Sequence, residues 1–170
     1  FGDDERAVFH YTPTKHGYQV LDFFTLGEAS DGTPIRWKGT ITADAISSHD
    51  LLFSDGDRVE AGCNAHGLRK FRDDGEKAPL LASVALGFIG RFYSEEARAR
   101  KRGLTGVALL SWRQEHIAPV ASAFKQWLSS HLSDLLPSHP IRKAMQYYIN
   151  HWPALTRFLS DPSVELANNW

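Results

Sequence analysis

Apolar and polar residues alternate through "AVFHYT", Ala7 to Thr12, a β-rich stretch that Pro13 and Gly17 interrupt, so a strand is predicted there after a tight turn at "GDDE". In "YQVLDFFTL" the apolar positions Val20, Leu21, Phe23, Phe24 and Leu26 fit a short helix packed on a sheet. The turn-rich "GEASDGTP" reads as a loop, of the kind an insertion leaves. Gly39 to Ala43 then predicts a buried strand with Asp44 at its exit, followed by a helix from Ile46 to Phe53 that Ser47 and Ser48 start. After the turn "SDGD", "RVEAGC" predicts another short strand and "NAHGLRKF" a turn into a helix. Strand and helix thus alternate three times, an α/β pattern in which ligands gather at the carboxyl ends of strands.

Beyond Asp73 the pattern is helical. In "APLLASVALGFIGRFYSEEARARKR" the apolar positions Leu80, Leu81, Val84, Ala85, Phe88, Ile89 and Phe92 repeat every three or four residues and predict one buried face. Its tail, Arg98, Arg100, Lys101 and Arg102 before Gly103, puts cations where a helix dipole favours them. Two or three more helices are expected in the rest, divided near Pro119, Pro137, Pro140 and Pro153.

Length and composition narrow this picture little. A chain of 170 residues, 42% hydrophobic and 23% charged, is an ordinary globular domain able to bury a core without staples. No apolar run is long enough for a bilayer and no signal peptide is visible, so a cytoplasmic protein without a membrane partner is expected. The lone Cys63 excludes an internal disulfide and fits a reducing compartment. The chain begins at Phe1 and its one methionine is Met145, inside a predicted helix, so a fragment with an upstream start is expected. Charge changes more. Residues 1–62 carry 5 basic and 11 acidic groups against 14 and 9 in residues 63–170, so the front suits cations and the back suits either phosphates or plain solvent.

Three features carry candidate chemistry. Asp44 stands at the exit of an apolar strand with no basic neighbour, which suits either a magnesium ligand or an ordinary helix N-cap. Cys63 and His66 form C-x-x-H without a second pair at metal-binding spacing, so structural zinc is not expected. A thiol at an apolar strand end is also a poor nucleophile, and a buried cysteine beside a hydrogen-bonded histidine is the default. Arg69, Lys70 and Arg72 open the following helix, where phosphate contact is plausible.

Taken together, "TITADAISSHDLLFSDGDRVEAGCNAHGLRKF" resembles the central part of the insertion sequence 66 family of bacterial DDE transposases. Later segments keep that family's order: "IGRFY", "RQEHIAPVASAFKQWL", "SHPIRKAMQYYINHWPALTRFLSD" and "VELANNW". The resemblance implies a partial RNase H-like α/β core over residues 1–72, a large all-α insertion over 73–162 and a return to the core over 163–170. It implies phosphoryl transfer on DNA, at the ends of an insertion sequence and at its target. Three carboxylates there hold two Mg2+ or Mn2+ ions, and a homo-oligomer assembles on the DNA. Carried over by position, Asp44 matches the second catalytic aspartate and metal ligand. Cys63 and His66 match the C-x-x-H after it, with His66 near the scissile phosphate. Asn168 and Asn169 match the asparagine pair before the catalytic glutamate, which is expected at the third residue after Asn169. The first aspartate is expected upstream of Phe1, so these residues alone are expected to show little strand transfer.

Asn64 stands where the family usually has tryptophan, Leu68 where it has a basic residue, and Ala167 where it has an aspartate. A decayed or repurposed DNA-binding module without catalysis is therefore the alternative reading. A third is an unrelated α/β metal-dependent nuclease, which would gather two further carboxylates beside Asp44 from within the chain.

Overall fold

A computed structural model describes residues 17–43 and 51–167. The predicted strand at Ala7 to Thr12, most of the helix predicted from Ile46, and Asp44, Asn168 and Asn169 lie outside these residues. Contacts divide the chain into two compact units, one of residues 1–41 and 45–59, the other of residues 42–44 and 60–170. The protein is mixed α/β, mostly helical with small sheets. Among the described residues no helix is long and apolar enough to cross a membrane.

The first unit corrects the reading of its sequence. Helix α1 (Gly17–Phe23) stops before Leu26, and β1 (Thr25–Glu28) pairs antiparallel with β2 (Pro34–Arg36) across the segment read as a loop. The turn explains the hairpin. Ala29 and Thr33 bond across it at 2.8 Å, Gly32 takes φ +81°, and Asp31 Oδ1 accepts the Thr33 N–H at 2.9 Å. At the end of the segment predicted as a helix, residues 51–53 form one 3-10 turn. Arg58, 2% exposed, ties this unit together by donating to Leu52 O at 2.7 Å and Trp37 O at 3.0 Å and pairing with Asp55. Its charge is tolerated because each neighbour is an acceptor aimed at it.

Strands β3 (Gly39–Ala43) and β4 (Arg58–Gly62) appear where the apolar pattern put them and pair with each other. Gly39 N–H donates to Asp57 O at 3.2 Å, which joins the two strands at their starts, so they run in the same direction. Their carboxyl ends, Ala43 and Gly62, therefore share one edge.

The second unit holds the helices α2 (Asn64–Gly75), α3 (Pro79–Lys101), α4 (Gly106–His116), α5 (Ala118–Asp134), α6 (Arg142–Asn150) and α7 (Trp152–Leu155). Pro119 and Pro153 sit in the first turns of α5 and α7, where a missing N–H costs nothing, while Pro137 and Pro140 occupy the α5–α6 connection. Helix α3 packs against α2, α4 and α5, and α6 against α2 and α5. Phe124 is the hub: its ring lies 5.1 to 6.3 Å from those of Phe88, Tyr148, Phe92, Trp152 and Phe71. The buried face of α3 is narrower than its periodicity suggested, since Leu80 is 82% and Val84 43% exposed. The seam runs instead through Ala82, Ala85, Ile89 and Phe92, whose small first members let α2 approach: a Cβ on Gly75 would stand 2.8 Å from that of Ala82. The end of α3 is closed at Gly103, φ +66°, by bonds from Gly103 N to Arg100 O and Leu104 N to Ala99 O.

Candidate functional site

Two of the candidate residues, Cys63 and His66, lie just beyond the carboxyl end of β4. Cys63 follows β4, is fully buried, and stands as the extended residue before α2 without a side-chain cap. His66 is half-buried in the first turn, its N–H bonded to Cys63 O at 3.2 Å. The neighbour between them holds the junction. Asn64, 1% exposed, donates its backbone N–H to Leu166 O at 3.1 Å, and its Nδ2 donates to Leu155 O at 2.9 Å and Leu166 O at 3.2 Å. The Tyr148 hydroxyl donates to its Oδ1 at 3.3 Å. One amide thus satisfies α7, α6 and the returning end of the chain, whose Val164, Leu166 and Ala167 are buried.

Two glycines permit this approach. A Cβ on Gly62 would lie 2.9 Å from Leu155 Cδ2, and one on Gly67 would run into the Tyr148 ring, 2.6 Å from its hydroxyl. The surroundings are apolar enough to hold phenols neutral. Burial, with a smaller effect from Cys63, pushes Tyr93 up to about 12. Burial first, then Tyr93, Tyr147 and Cys63, raises Tyr148 well above the ordinary phenol value.

The basic cluster lies on the opposite side of the same helix. Asn64, Gly67, Phe71 and Gly75 form the buried face of α2, which leaves Arg69, Lys70 and Arg72 exposed. Lys70 sits 4.7 Å over the Tyr147 ring, and Arg72 is 4.0 Å from the Asp73 carboxylate, both exposed. Neither contact neutralises the patch, since the Arg72 pair is long and solvated.

The structure thus gathers Cys63 and His66 with the segment leading to Asn168 and Asn169, and sets Arg69, Lys70 and Arg72 on the helix they begin. Asp44 follows Ala43 in sequence and lies outside the described residues. Among the described residues no group of three or more His, Cys, Asp and Glu side chains comes together as a metal site. Sequence reasoning took Asn64 only as a departure from the family pattern and missed its clamp, along with Tyr148. An asparagine at a helix start signals a cap, and nothing local reveals partners 91 and 102 residues away.

A family model described as the Transposase IS66 family matches residues 2–170. Uncharacterized protein y4hP of Sinorhizobium fredii is 29% identical over 121 residues, covering 64% of this chain and 22% of its own length. The chain therefore spans about a fifth of that relative. No solved structure matches.

Proposed function

The chain belongs to the transposase IS66 family, and from that premise we propose that it is the central part of a DDE-type enzyme that cleaves and transfers DNA strands at insertion-sequence ends. Its front forms part of an RNase H-like core and its helices an insertion within that core. One observation carries the reading: Ala43, the residue before Asp44, and Gly62, the residue before Cys63, end paired strands at one edge, and Asn64 bonds the segment that leads into Asn168 and Asn169. The carboxyl ends of paired strands are where α/β proteins place their ligands, and this supports the reading.

Asp44 is the residue that would hold Mg2+ or Mn2+. A carboxylate at a strand exit is the hard oxygen donor such ions take, and the chemistry they supply is activation of a water or a 3′-hydroxyl for in-line attack. The chain's own residues do the rest. His66, half-buried in the first turn of α2, would orient the phosphate or its nucleophile. Arg69, Lys70 and Arg72 neutralise the DNA backbone as exposed cations on one helix.

Binding to duplex DNA tests this. The chain should bind with micromolar or weaker affinity that falls steeply with salt, and replacing Arg69, Lys70 and Arg72 by Gln should lower the slope of log K against log salt by about 2 to 3. A wild-type chain that binds no DNA at low salt would overturn the reading.

A further inference from the structure

Along α3 and onto Arg102, which caps its C-terminus, Arg91, Glu95, Arg98 and Arg102 are spaced four, three and four residues apart and so form one stripe. Arg91 Nη2 lies 2.8 Å and Arg98 Nη1 2.9 Å from the same oxygen, Oε1 of Glu95, whose side chain is 1% exposed. Two guanidinium groups are thereby fixed within about 6 Å of each other on a single negative charge. One positive charge is left over and held in place. Both arginines remain open to solvent, with side chains 52% and 59% exposed, and each keeps N–H donors beyond the one spent on Glu95.

The stripe continues past this pair. The Arg102 guanidinium lies 4.5 Å over the Trp112 ring, and the His116 ring is 3.9 Å from that of Trp112. The Trp112 indole N–H donates to Glu95 O at 3.2 Å, so α4 braces the stripe from beside it. Among the described residues Arg102 contacts a ring and no carboxylate, which leaves its charge uncompensated. Three cations thus stand with one carboxylate, which only two of them contact, over about 16 Å of chain.

We propose that Arg91, Arg98 and Arg102 form a second DNA-backbone contact, on the helical insertion and distinct from the α2 cluster. The proposal rests on the DNA-acting reading above and adds the surface by which the insertion takes part. The fit is chemical. A phosphodiester oxygen between Arg91 and Arg98 relieves the repulsion that Glu95 only half offsets, and planar guanidinium groups match phosphate better than any other side chain.

The test is anisotropy of a labelled duplex at salt concentrations from about 50 to 200 mM. Replacing Arg91, Arg98 and Arg102 together by Gln should lower the salt slope by about 2, and Arg102→Gln alone by about 1, which over that range changes the loss of affinity about 3.5-fold. Because Arg91 and Arg98 also compensate Glu95, thermal unfolding of each variant is recorded beside binding, and Arg102→Gln leaves that pair intact. A slope unchanged in both variants, in a wild-type chain that binds DNA and loses slope when Arg69, Lys70 and Arg72 are replaced, would overturn the proposal alone. A wild-type chain that binds no DNA would remove both readings.

Discussion

Asn64 fixes the returning chain at the junction by hydrogen bonding to Leu155 O and Leu166 O. Its Oδ1 is buried and takes the Tyr148 hydroxyl, so Tyr148→Phe keeps the ring packing on Phe71 and Phe124 and leaves that oxygen without its donor. The expected cost is about 1 to 3 kcal/mol, read from the urea midpoint. The same residue sets an alkaline limit. Its folded pKa lies above the unfolded value of 10.0, so its contribution is complete below pH 10 and is lost as pH rises toward the folded value. Tyr93, raised to about 12, acts in the same direction. Stability should therefore fall above pH 10, and less steeply in Tyr148→Phe; an identical slope in both would contradict the assignment. Cys63, His66 and the α2 cations were legible because their types and spacing are local. The clamp was not, because it depends on contacts across most of the chain.

At the scale of elements, the long helices were legible because periods of three and four persist over many residues, and β3 and β4 because their apolar runs are flanked by turns. The β1–β2 hairpin was not. Its strands are short and largely exposed, with Leu26 and Ile35 facing outward, so no alternation marks them. Helix α4 shows another limit. Its deepest residue is Arg113, 1% exposed, which pairs with Glu96 through Nε at 2.6 Å and Nη2 at 3.0 Å and donates to Phe158 O at 2.8 Å. A charge that anchors a helix reads in sequence as surface. Arg113→Met strands a buried carboxylate and should cost about 3 to 5 kcal/mol in chemical denaturation, much of it recovered when Glu96→Leu is added. Equal losses in the single and double variants would show that the pair is not what holds α4. Gly67→Ala is the matching test for α2. Alanine gains up to about 1 kcal/mol of helix propensity, yet the Tyr148 ring occupies the space, so the melting temperature should fall rather than rise.

For the whole molecule, the family was legible because several motifs keep their order along nearly the entire chain, and the match over residues 2–170 bears that out. The edge at which β3 and β4 end was only partly legible: pattern gives strands, and their direction came from the Gly39–Asp57 bond. The central claim is that this edge belongs to a strand-transfer site with Asp44 as its metal ligand. The most direct measurement is transposition of a marked insertion sequence driven by the gene that encodes this chain, wild type against Asp44→Asn, with protein levels and DNA binding compared alongside. The account predicts at least about a hundredfold loss of transposition in Asp44→Asn, with DNA binding retained. Transposition by Asp44→Asn at the wild-type rate would contradict it.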